Sequence, residues 1–235
     1  MVTMSALHAL TAELHAGFLT LAFVCIMITA LCQIAIRLKD RGMPKSLVNL
    51  SYKIRGYTEA AGYVGAALGV IGLLLSAWTG MYAWPEDVLL ESGIIRNKIL
   101  LTAFSTVMWC GIVYIRARFG RPLWTCPYMA ALYVALAFVA FGVLGTTGSM
   151  GAHITQGGSA MDPLWSIIGF DVTSELSLTS DTSAAVALVS MILIVLSLFA
   201  ARRYDLFAVK MSPETCPAKV KWDEPRIVAE VAQKP

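Results

Sequence analysis

Five stretches of the chain are apolar for long enough to cross a bilayer as helix, which takes about 20 residues. They run over residues 11–36, 60–84, 97–115, 127–150 and 182–201. Helix is the state expected for each, because an open strand edge finds no hydrogen-bond partner in lipid. The predicted fold is an all-α polytopic transmembrane bundle over residues 1–201, with an outer loop at 149–181 and an extended cytoplasmic tail at 202–235.

The connections carry patterns of their own. In PKSLVNLSYKIRGY, Leu47, Leu50, Ile54 and Tyr57 share one helical face, which predicts an amphipathic helix lying on the cytoplasmic surface. In MDPLWSIIGFDV, Leu164, Trp165, Ile167, Ile168 and Phe170 are too apolar for a free loop and predict a segment on the outer interface or on a neighbouring subunit. Trp78, Tyr82 and Trp84 at one end, and Trp124 and Tyr128 at the other, match aromatic belts. Glu59 opens the second span and is expected to cap it or to snorkel. Small residues recur at helical spacing: Gly62, Gly65, Gly69, Gly72, Ser76 and Gly80 in the second span, and Ala131, Ala135, Gly142, Gly145 and Ser149 in the fourth. Such stripes let helices approach closely, and they can equally accept a flat macrocycle.

Composition strengthens the membrane reading. The chain is 57% hydrophobic and 14% charged, against about 25% charged in soluble domains. Charge then orients the bundle. With five crossings, sixteen of the eighteen Lys and Arg residues fall on one side. The positive-inside rule makes that side cytoplasmic and puts the N-terminus outside, in the cell membrane. A four-span arrangement would place the basic tail outside instead. No Lys or Arg precedes Arg37, so the first apolar run is expected to be a retained span rather than a signal peptide. The five cysteines form no CxxC pattern, and none reaches the oxidising side, so free thiols are expected. There are no paired carboxylates, no Ser/His/Asp set and no phosphate loop, so an independent enzyme is not expected. Topology already accounts for the basic residues, and nucleic acid is not an expected partner.

Given that orientation, all three histidines lie outside. His15 stands about 31 Å above Ile36, and His153 about 39 Å above Pro127, at 1.5 Å per helical residue. Two imidazoles at similar depth on separate helices can hold a haem iron from its two faces. His8 is about 10.5 Å from His15 along a shared face, which suits a neighbour or alternative ligand rather than a second axial bond. Arg96 and Lys98 are the only cations expected outside, and they could pair with haem propionates or simply anchor the interface. Gly65, Gly69 and Gly145 would line the macrocycle. Glu13 is read as a solvated first-turn acid. Met1, Met4, Met150 and Met161 also fall outside. A set such as His15, Met150 and His153 suits Cu(I), or a His/Met-ligated haem. Three histidines supply one bis-histidine haem and not two.

The pattern resembles a poorly characterised family of small polytopic membrane domains, cytochrome b-like in character. The matching pieces are Leu7-His8 and Leu14-His15, the stripe from Gly62 to Gly80, Ile115-Arg116-Ala117-Arg118, and Gly151-Ala152-His153-Ile154. They cover about residues 5–160. The resemblance implies a haem role for His15 and His153 and names no substrate.

The expectation is therefore a membrane-anchored b-type cytochrome-like subunit of a larger respiratory or oxidase-type complex, with one haem b near the outer face. Its partners would be other membrane subunits, lipids, and an outer-face redox protein or a quinone. The alternative is a cofactor-free structural or assembly subunit. A transporter or copper-handling protein is disfavoured because the spans show almost no buried charge.

Overall fold

The computed structural model describes residues 3–173 and Phe199. The predicted fifth span, at 182–201, and the tail beyond it lie outside the described residues, apart from Phe199. Among the described residues the fold is helical throughout, with no strand. Four long helices dominate: α1 (Met4–Arg37), α2 (Lys45–Ala83), α4 (Gly93–Phe119) and α5 (Pro127–Gln156). Two six-residue helices, α3 (Glu86–Glu91) and α6 (Asp162–Ile167), lie in connections. Each long helix is long and apolar enough to cross a membrane. Large side chains such as Leu31, Ile71, Phe104, Val107 and Phe138 stand out on their surfaces, where lipid rather than water suits them. This is the architecture of a multi-pass membrane protein.

The helix ends follow from local chemistry. Thr3 caps α1, its Oγ1 accepting the Ala6 N–H at 3.2 Å. A 3₁₀ turn at Lys39–Arg41 and the left-handed Gly42 close α1, and Pro44 leads into α2. Gly120 ends α4, and Pro127 occupies the first turn of α5, where its missing N–H costs nothing. At the far end of α5, Gly157 is left-handed, and its N–H returns to the His153 carbonyl at 3.1 Å.

The span boundaries differ from the sequence reading at one informative place. Residues 45–57 do not form a separate surface helix. They are the first turns of α2, which runs unbroken to Ala83. Val48 and Ser51 are buried, whereas Leu47, Leu50 and Tyr57 of the expected apolar face are exposed. Nothing in this stretch breaks the helix, because a single Gly56 costs only about 1 kcal/mol.

α1 and α2 pack as a close antiparallel hairpin. The small residues of α2 meet α1 step by step: Gly62 lies against Cys25, Gly65 against the Phe18 carbonyl, Gly69 against Leu19 and Gly72 against His15. In lipid there is little hydrophobic drive between helices, so close backbone approach supplies the packing. α4 and α5 form a second hairpin. The two hairpins meet through Phe23, stacked on Phe141 at 4.1 Å, and through a core that includes Leu19, Ala22, Ile26, Leu73, Trp109, Ile112, Tyr133, Ala137 and Leu144.

The basic end is locked by polar groups. Glu59 is buried at 7% exposure and pairs with Arg116 and Arg121 from the opposite hairpin. It therefore neither caps nor snorkels: α2 begins fourteen residues earlier, at Lys45, and carries it into the interior. Arg116 also sits over the Tyr63 ring at 5.5 Å. Arg37 donates to the carbonyls of Trp124 and Thr125 at 3.2 and 3.0 Å. Trp124 is buried edge-on to Tyr133 rather than belted at the interface, whereas Tyr128 is exposed. Cys25, Cys32 and Cys110 are free, but Cys126 is disulfide-bonded, against the expectation of free thiols throughout. That expectation came from span counting, which cannot see which sulfurs the fold brings within bonding distance.

Candidate functional site

The hydrophobic core reaches only as far as Leu73 on α2 and Leu144 on α5. Beyond them, toward the histidine end, Thr11, Ser76, Thr79, Asn97, Thr147 and Ser149 are buried alongside Ile95 and Met150. The Thr11, Thr79 and Thr147 hydroxyls return to carbonyls of their own helices, so the ionisable side chains at this end are the ones that mark a candidate site in a membrane bundle.

α1 supplies two imidazoles to this end. His15 is half-buried against α2, and its Nδ1–H donates to the Thr11 carbonyl, one turn back, at 2.9 Å. Gly72 makes this possible, since a Cβ there would stand 2.8 Å from the Cβ of His15. His8 lies over Gly80, and its Nδ1–H donates to the Ser76 carbonyl at 3.0 Å. Thr11 and Thr79 join the two helices between them, Oγ1 to Oγ1, at 3.1 Å. With Nδ1 committed in each ring, Nε2 keeps its lone pair, and among the described residues neither Nε2 has a hydrogen-bond partner. A carbonyl on one ring nitrogen is the usual partner of a histidine that binds metal with the other.

α4 adds a cation. The Lys98 side chain runs under α5, with Nζ 3.0 Å from where a Cβ of Gly151 would stand. It lies close enough to His8 and His15 to act on both electrostatically. It has no ion-pair partner among the described residues. Arg96, by contrast, is exposed.

α5 and α6 form a separate cluster. His153 Nε2 hydrogen-bonds Asp162 Oδ1 at 2.9 Å, and Asp162 Oδ2 accepts the Ser159 N–H at 2.9 Å. These bonds, the backbone one first, hold the Asp162 carboxyl below the usual carboxylate range. Trp165 Nε1 donates to Ser149 Oγ at 3.0 Å and fastens α6 to the end of α5.

The structure thus gathers His8, His15 and Lys98 at one end, with Arg96 at the same helix start. It turns His153 toward Asp162. Gly65 and Gly69 are filled by α1 and leave no slot for a macrocycle, and Gly145 faces the Met161 side chain at 3.8 Å. Met150 is fully buried on α5. Glu13 is exposed, as a solvated acid should be. Among the described residues no three His, Cys, Asp or Glu side chains converge as a metal site. Asp162, Thr11 and Thr79 were not singled out from the sequence for roles at the site, and Gly72 stood only within the small-residue stripe. Asp162 had one visible signal, its place nine residues after His153 across the Gly157-Gly158 turn. Comparison of the chain with family models, known proteins and solved structures finds no match.

Proposed function

We propose that the protein is a membrane-embedded electron-transfer subunit of b-type cytochrome character, with its iron held by Nε2 of His15 at the outer end of the bundle. The observation that carries this reading is the state of His15: one ring nitrogen is fixed to a carbonyl, and the other has no hydrogen-bond partner among the described residues. Bound there, haem would supply one-electron transfer. The chain's own residues have defined tasks. Thr11 holds the ring's tautomer, Gly72 admits its backbone, and Lys98 offers a propionate its counter-charge. Arg96 serves the interface. Met150, buried on α5, would be a second candidate to hold the group, whereas His153 would first have to leave Asp162. The polar end faces the outside if the basic end is cytoplasmic, with a fifth crossing to return the tail. Other membrane subunits, and a redox protein or quinone at the outer face, complete the assembly. A thioether–imidazole pair also suits Cu(I), which is the cofactor to test second.

A second reading has its own support. α1 fills the Gly65 and Gly69 seam, and Asp162 satisfies His153, as in a cofactor-free structural or assembly subunit. Titrating haem into purified haem-free protein separates the two. The cytochrome reading expects saturation at one haem per chain, abolished in His15→Ala and retained in Arg96→Gln. Binding that is absent, or unchanged in His15→Ala, supports the scaffold.

A further inference from the structure

The end of α5 and the α6 segment enclose an open cavity of about 400 Å3. Its polar floor is the His153–Asp162 pair, with Asp171 and Thr173 at its edge, and its apolar walls include Trp165 and Phe170. Trp165 and Phe170 stand edge to face, with ring centroids 5.7 Å apart. A mostly apolar cleft with a few converging polar groups is the usual form of a small-molecule site, and the volume fits one substituted ring.

The polar floor has a definite sense. With Asp162 ionised, the proton on His153 sits at Nε2, donating to Oδ1. Nδ1 is then an acceptor, and it has no partner among the described residues. Asp162 is held in turn by the Ser159 N–H, and Trp165 by Ser149, so both wall and floor are pre-set. What such a site asks of a ligand is an aromatic ring and one hydroxyl donor. The position at the end of a span admits molecules that arrive through the membrane.

We propose that this cavity binds a small lipid-borne hydroxyaromatic molecule of the phenol or hydroquinone class, its hydroxyl donating to Nδ1 of His153 and its ring lying against Trp165 and Phe170. Binding requires no iron. It agrees with an electron-transfer role, since reduced rings of this class are electron donors, but it does not depend on one.

The test uses full-length, haem-free protein in lipid nanodiscs, with 4-fluorophenol and its methyl ether 4-fluoroanisole as probes followed by fluorine NMR. Empty nanodiscs subtract partitioning into lipid. The phenol is expected to bind saturably and about tenfold more tightly than the ether, the value of one hydrogen bond. In His153→Ala that preference disappears, and in Trp165→Leu both probes weaken. Equal affinity of the two probes for the wild-type protein, no saturable binding above empty nanodiscs, or a preference that survives in folded His153→Ala overturns the proposal. The wild-type comparison alone decides it if the variants do not fold. Because iron is absent throughout, failure here leaves the haem reading untouched, and the converse holds.

Discussion

At Gly72 a Cβ would stand 2.8 Å from the Cβ of His15 and 3.2 Å from its Cα. Neither atom is the free end of a flexible side chain, so α1 itself must move. Gly72→Ala is expected to cost about 1–3 kcal/mol, the range for overpacking, and to displace the His15 ring. Gly17, on α1, has nothing within 4 Å of its Cβ position. Gly17→Ala is expected to be neutral or to stabilise by up to about 1 kcal/mol through helix propensity. Thermal unfolding of the two variants in one detergent checks the contrast. At Asp162 the expectation concerns acid. Its carboxyl is held down by Ser159 and His153, so its contribution is complete above the free-aspartate value of about 3.9. That contribution fades as pH falls through the lower bound-state value. Protection of the α6 amides, taken relative to their intrinsic exchange rate at each pH, should therefore hold from neutral pH down to about 4 and fall only below that. Protection already lost at neutral pH would contradict this bond. Asp162→Asn should remove the acid dependence.

The two hairpins are joined at the basic end by Glu59, buried between Arg116 and the largely exposed Arg121. Glu59→Gln leaves the Arg116 guanidinium buried without its partner, which costs about 3–5 kcal/mol. Arg121→Gln touches an exposed partner and should cost about 0–1 kcal/mol. Equal effects of the two in unfolding measurements would argue that Glu59 is not the clamp. This clamp was not legible in the sequence. Glu59 and Arg116 are 57 positions apart, and nothing local pairs them. The four described spans were legible, because lipid leaves a long apolar run one structural choice. The continuity of α2 was not, because the face of Leu47, Leu50, Ile54 and Tyr57 read as a separate amphipathic helix, while the chain runs on as one helix to Ala83. The glycine stripe was legible as a close-approach surface, but not its occupant. Only the register of α1 against α2 shows that Leu19 and His15 fill it.

The whole molecule is polarised. One end gathers arginines around a single buried carboxylate. The middle is mostly apolar and tightly stacked, and the other end holds imidazoles, hydroxyls and an ammonium that has no ion-pair partner among the described residues. That contrast was only half visible beforehand. The one-sidedness of the histidines follows from counting spans, whereas the attachment of His153 to Asp162 depends on how α6 folds back. The Thr11, Thr79 and Thr147 hydroxyls at the histidine end are satisfied on their own helices, so it is the ionisable His8, His15 and Lys98 that point to function there. The reduced-minus-oxidised absorption spectrum of the purified full-length protein, produced with ample haem supply, tests this account most directly. A b-type alpha band in the wild-type protein that is lost in His15→Ala and kept in His153→Ala is the predicted result. A wild-type spectrum with no such band, or a band indifferent to His15, contradicts it.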